Sequence, residues 1–129
     1  MSKYVPYHEP SIRKAKDLCK NCAFNIDKYS AITKWINHNI VYDFIRAKNI
    51  PKKGALPDVA GCWEKHMGIC QDIAALTVGM LRAVGVYCVL AIGRADGFYH
   101  AWVEATINGK LYRFDRSGKA KTYKREKSY

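Results

Sequence analysis

The chain is short of acid: it carries 11 Asp and Glu against 22 Lys and Arg, a formal charge of +11. It also lacks any apolar run approaching the roughly 20 residues that a membrane-spanning helix needs, so no transmembrane segment is expected. Its first ten residues, M-S-K-Y-V-P-Y-H-E-P, contain no apolar h-region, so no signal peptide is visible. An exported form stripped of its signal and a cytoplasmic protein would read alike, which leaves localisation unknown. There are no internal repeats and no low-complexity segment. Zinc-finger spacing, an RNP-like aromatic motif and a helix-turn-helix pattern are all missing, so nucleic acid is not an expected partner. What is present is a chain of 129 residues, 49% of them apolar. That length supports one core, and that apolar content excludes a disordered chain. We read residues 1–129 as a single domain, with flexible ends at 1–10 and 119–129.

The positive charge is unevenly spread. Residues 1–54 hold 11 Lys and Arg against 4 Asp and Glu, residues 55–118 hold 6 against 6, and residues 119–129 hold 5 against 1. The central block is therefore neutral and the two ends are basic. Such ends can recruit an anionic polymer or a cell-wall component, although a solvated basic surface is the simpler account.

The stretch G-I-C-Q-D-I-A-A-L-T-V-G-M-L-R-A-V-G, from Gly68 to Gly85, reads as one helix. Ile73, Thr77, Met80, Leu81 and Val84 recur at three- and four-residue steps and make one apolar stripe. Gly85 falls where a left-handed C-terminal stop is expected. Gly68 would let the chain turn sharply before the helix. Cys70 then lies in the first turn. There, unpaired backbone N–H groups and the positive end of the dipole favour a thiolate and can hold an oxyanion. A buried structural cysteine is the competing account. Asp72, in the same turn, stabilises the helix but sets a negative charge against the thiolate.

Upstream, Ser11 can cap a helix running to about Asn25, with Ile12, Ala15, Cys19, Cys22 and Ile26 on its apolar stripe. Asp27 can cap a second helix ending near His38 or Asn39. Val41 to Phe44 reads as extended chain or loop. Arg46 to Cys62, with Pro51, Gly54, Pro57 and Gly61, reads as irregular. Downstream of Gly85 the period changes to two. Strands are expected over Val86–Gly93, Tyr99–Ile107 and Lys110–Asp115. Asp96-Gly97 and Asn108-Gly109 mark the hairpin turns.

The second turn fixes a register. A two-residue loop at Asn108-Gly109 pairs Ile107 with Lys110, which sets Trp102 opposite Asp115. His100 and Asp115 then become diagonal neighbours on one face. The other face collects Val86, Cys88, Leu90, Ile92, Ala101, Val103, Ala105, Tyr112 and Phe114, and helices are the available cover. A thiolate at a helix start, with a histidine and an aspartate on neighbouring strands, makes a nucleophile, a base and an orienter.

Here the chain resembles a known family. G-I-C-Q-D-I-A-A-L-T-V-G-M-L-R-A-V-G-V, then Y-H-A-W-V-E, then Y-R-F-D look like the three signature blocks of the transglutaminase-like superfamily. W-I-N-H-N-I-V-Y-D is similar to the helix that precedes the catalytic loop there. The resemblance implies an α+β, papain-like core with the catalytic-Cys helix packed on a small antiparallel sheet. It also implies Cys70 as nucleophile, His100 as base and Asp115 as orienter. Many microbial members are regarded as thiol peptidases or amidases, whereas the calcium-dependent animal crosslinkers carry further domains. The expected activity is acyl transfer from an amide of a protein or peptide through a Cys70 thioester. Hydrolysis is expected, with crosslinking or a non-catalytic scaffold as alternatives. No cofactor and no metal are expected. The chain is short for the superfamily, so part of a substrate groove is expected to be missing or to be supplied by a partner.

Trp63, Gln71 and Trp102 are candidates for lining the cleft, with core packing as the alternative for the two tryptophans. Cys19-x-x-Cys22 and Cys62-x-x-x-His66 have the chemistry of zinc ligands. Cys19 and Cys22 fall on an apolar stripe, however, which favours core packing. A disulfide among Cys19, Cys22 and Cys62 would suit an exported protein. Cys88 reads as inert. His66 could replace His100 as base, but it has no evident carboxylate partner, and His8 and His38 read as incidental.

Overall fold

The structure is a computed structural model that describes residues 2–48, 56–118 and 120–129. Its helices are α1 (Glu9–Leu18), α2 (Asn25–Asn39), α3 (Phe44–Ala47), α4 (Val59–Lys65) and α5 (Cys70–Ala83). Its strands are β1 (Val41–Tyr42), β2 (Met67–Gly68), β3 (Cys88–Ala95), β4 (Phe98–Ile107), β5 (Lys110–Phe114) and β6 (Tyr123–Ser128). The main sheet is antiparallel with strand order β5-β4-β3-β6, and β1 and β2 form a separate parallel pair. The architecture is the expected α+β arrangement.

Helix α5 is the centre of the molecule. Ile73, Leu76, Val78, Met80 and Leu81 are each at most 1% exposed, and Ala74 and Ala75 are buried beside them. The apolar stripe of the sequence is thus too narrow a description, because α5 is covered nearly all round. Helices α1, α2 and α4 pack on it from one side, and β3 and β4 from the other. Each fully buried aliphatic side chain contributes about 1.5–3 kcal/mol. The sheet face that meets α5 carries Cys88, Leu90, Ala101, Val103, Ala105 and Phe114. After Ala83 the helix stops, with Gly85 at φ +86.

Both hairpin turns form at their Asx-Gly pairs. Asp96 and Gly97 have φ of +49 and +83, and Asn108 and Gly109 have +52 and +78, the positive values of a type I′ turn. Ile107 pairs with Lys110 as the register requires. Strand ends differ by two residues or fewer: β3 runs to Ala95 and β5 ends at Phe114, so Asp115 lies just past the sheet.

Several expectations are corrected. Helix α1 ends at Leu18, because a turn at Cys19–Asn21 and extended backbone at Phe24 separate it from α2. Its cap is His8, whose Nδ1 accepts from the Ser11 N–H, while Ser11 is buried in the first turn. Helix α2 begins at Asn25, two residues before the expected Asp27 cap. The segment read as irregular contains the ends of α3 and most of α4; its residues 49–55 lie outside the described residues. Within the tail, residues 123–128 form β6 against β3. The N-terminal residues are held as well, since Val5 is 2% exposed and the Tyr4 ring stacks on Tyr129 at 4.0 Å.

Glycine matters here through close approach. A Cβ on Gly68 would lie 2.8 Å from Cys62 Sγ and 3.0 Å from Asp72 Cβ. Gly68 is therefore required by the packing of β2 against α4 and α5 rather than by a sharp turn. A Cβ on Gly93 would strike the Lys124 carbonyl oxygen, at the point where the β3–β6 ladder shifts register.

Candidate active site

Cys70 is the first residue of α5 and is partly buried. Asp72 fixes this helix start. Its carboxylate accepts the Ile69 N–H at 3.2 Å, the Asp58 N–H at 2.8 Å and the Arg46 guanidinium at 2.6 Å. The side chain of Asp72 is 1% exposed, so its charge requires such partners. One carboxylate thus ties α3, the N-cap of α4 and α5 together. The Arg46 cation also offsets the charge that the sequence placed against the thiolate.

β1 brings Tyr42 to the same place. The Asp43 N–H donates to the Gly68 carbonyl at 2.8 Å and the Val41 N–H to the His66 carbonyl at 2.9 Å, which pins β1 beside β2. The Tyr42 phenol lies near Cys70. Burial, then the neighbouring Cys70 charge, pushes this phenol up to about 12.

On β4, His100 Nε2 meets Asp115 Oδ2 at 2.9 Å. The diagonal relation drawn from the turn register is therefore realised as a hydrogen bond. Cys70 is the other group that acts on this imidazole, and the Ser117 hydroxyl lies 3.3 Å from Nε2. Burial alone would lower the basicity of His100. The hydrogen bond with Asp115, then the hydrogen bond and charge of Cys70, outweigh it and raise the imidazole to about 10. Asp115 is pushed the other way. Burial would raise it, but His100, Ser117 and Tyr123 together hold it below its ordinary 3.8.

The three residues singled out in the sequence are thus brought together. Among the cleft candidates, Trp102 lines a small cavity with Cys70, Ile73, Phe114, Asp115 and Arg116. Gln71 donates to the Leu56 carbonyl at 3.3 Å, beside Cys70 but bound to the approaching loop. Trp63 lies elsewhere: it stacks on Trp35 at 5.4 Å, with His8 edge-on at 5.8 Å, as a packing aromatic. His66 bonds the Asn39 carbonyl at 3.2 Å and is exposed.

Sequence reasoning missed Arg46, Tyr42, Ser117 and Tyr123. Ser117 had a local signal, because Asp-x-Ser is the pattern of a turn in which the carboxylate takes the N–H two residues on. The distances are 3.1 Å for that bond and 2.7 Å for the hydroxyl. Tyr123 had no such signal, since its position depends on the β6 pairing.

The profile of the transglutaminase-like superfamily matches residues 12–116. The chain belongs to the transglutaminase-like superfamily. Solved structures agree on the fold of this superfamily member. A candidate cysteine protease from Cytophaga hutchinsonii superposes with a TM-score of 0.71 at 23% identity, over 92% of this chain and 40% of that one. A structure described as a TGase gives 0.66 at 17% identity, over 92% and 32%. The periplasmic domain of TgpA from Pseudomonas aeruginosa gives 0.62 at 20% identity, over 87% and 44%. The chain thus spans less than half the length of each. No curated protein matches it in sequence.

Proposed function

We propose that this transglutaminase-like domain is a thiol-dependent acyl-transfer enzyme that hydrolyses an amide of a protein or peptide. The observation that supports this most is His100, bonded to Asp115 at 2.9 Å through Nε2 and in contact with the Cys70 thiol. Cys70 passes its proton to His100, giving a thiolate beside an imidazolium. The thiolate adds to the amide carbonyl. The oxyanion that forms takes the Cys70 backbone N–H at the start of α5. The tetrahedral adduct collapses as His100 protonates the departing amine, which leaves an acyl thioester and a neutral imidazole. Water then attacks the thioester, His100 takes its proton, and the acid and free thiol are released. Asp115 holds the imidazole in orientation throughout.

The same thioester would serve a crosslinker, which differs only in the acceptor. A lysine acceptor is mostly protonated at neutral pH and needs a second base. The other histidines are engaged elsewhere: His8 at a helix cap, His38 on the Lys34 carbonyl and His66 on the Asn39 carbonyl. Asp72 is committed to Arg46. Hydrolysis is therefore the expected outcome. An amide donor offered together with a labelled primary amine should yield mainly free acid by mass spectrometry. Amine adduct in excess at millimolar amine would replace the hydrolase with a transglutaminase.

A further inference from the structure

Asp115 has four donors. His100 Nε2 and the Tyr123 hydroxyl meet Oδ2 at 2.9 and 2.8 Å, and the Ser117 hydroxyl and N–H meet Oδ1 at 2.7 and 3.1 Å. We propose that Tyr123, carried on the C-terminal strand β6, is a positioning residue for the Asp115–His100 pair, so that β6 is a working part of the site. The proposal rests on the catalytic reading of Cys70, His100 and Asp115.

A carboxylate offers about four lone-pair positions. Ser117 engages one oxygen, Oδ1, from two residues away, and the second oxygen, Oδ2, carries the bond to His100. Tyr123 holds that second oxygen at the lobe His100 does not use. The phenol can do this because its ring is clamped. It meets the Trp102 ring edge-on at 5.0 Å, and the Arg113 guanidinium lies 4.2 Å over it. Trp102 is itself fixed by its indole N–H, which donates to Glu104 at 2.8 Å, and Arg125 of β6 closes on Glu104 at 3.1 Å.

The strand that delivers Tyr123 is anchored just before it. The Asp96 carboxylate, in the β3–β4 turn, accepts the Lys121 N–H at 2.9 Å and the Thr122 N–H at 2.8 Å. The Asp96 N–H returns a bond to the Thr122 carbonyl at 2.9 Å. Gly93 allows β6 the close approach that any Cβ would block. Three strands thus converge to set one hydroxyl on the carboxylate that orients His100. Burial, then the Asp115 bond, pushes the Tyr123 phenol well above its ordinary 10, so it remains a donor across the working range. A neutral donor on Oδ2 makes Asp115 a poorer proton acceptor, which keeps the proton on His100.

The test compares the unsubstituted chain with Tyr123→Phe, which removes the hydroxyl and keeps the ring. Carbon-13 NMR of the Asp115 carboxyl and the rate of Cys70 alkylation by iodoacetamide at pH 6 are the readouts. The expected results are an Asp115 midpoint moved to higher pH and alkylation slowed several-fold. An unmoved Asp115 midpoint in the folded variant overturns the assignment, since a ring that merely pins β6 would leave that titration alone. If Tyr123→Phe does not fold, Asp115→Asn supplies the converse reading. Tyr123 should then titrate nearer its ordinary value by ultraviolet absorbance, and an unchanged titration overturns the proposal. A wild-type Cys70 that alkylates no faster than Cys22 sinks the catalytic reading and the functional half of this one with it. The Asp115 midpoint would still decide whether Tyr123 acts on Asp115.

Discussion

Cys70→Ala should remove turnover down to background, a loss of about 10⁶-fold where a covalent nucleophile is deleted. The buried thiols cannot replace it. Cys62 and Cys88 are each 2% exposed, and Cys19 is buried at the end of α1. His100→Ala should cost about 10²–10⁴-fold, the range for a positioned general acid and base. Asp115→Asn should cost less than His100→Ala, because Asp115 orients the imidazole and makes no bond to the substrate. The measurement is kcat on an amide donor, with circular dichroism showing that each variant folds. Wild-type turnover in Cys70→Ala would remove the nucleophile assignment and favour a scaffold role.

The second large effect is on pH dependence. His100 is raised to about 10, so the imidazolium persists at neutral pH and is lost only as pH rises through that value. Amide hydrolysis should fall on the alkaline side near pH 10, because the leaving amine then lacks its proton donor. The bond to Asp115 is the largest influence raising His100, and burial opposes it. Asp115→Asn should therefore move the alkaline limb to lower pH. A pH–rate profile of kcat for both proteins checks this. Coincident alkaline limbs would mean that Asp115 does not support the charge on His100.

The sequence carried the parts of this site that depend on local rules. The α5 periodicity with Gly85 behind it, and the Asn108-Gly109 turn with its fixed two-residue loop, were enough to align His100 with Asp115. Periodicity misled where the chain turned without breaking its pattern. Cys19, Cys22 and Ile26 continue the spacing of α1, although Cys19–Asn21 is a turn. β6 was invisible for a different reason. Its sequence, Y-K-R-E-K-S, has no apolar alternation, because five of the six residues are exposed on an edge strand and only Tyr123 turns inward. Its order comes from main-chain pairing with β3 and from Asp96, neither of which leaves a mark in local composition. Asp72 showed its helix position in the sequence but not its partner, since Arg46 lies 26 residues away.

The most direct measurement is site-resolved alkylation of the native protein below pH 7, with the labelled peptides identified by mass spectrometry. Burial first, then neighbouring groups, pushes Cys19 up to about 11 and Cys62 up to about 12, and burial pushes Cys88 up to about 11. These three should stay unmodified while the protein is folded. Cys22, partly buried against Cys19, should react slowly. Cys70, at the start of α5 with His100 as its partner, should take the label first, and His100→Ala should abolish that preference. Equal labelling of all five cysteines in the folded state would contradict the account.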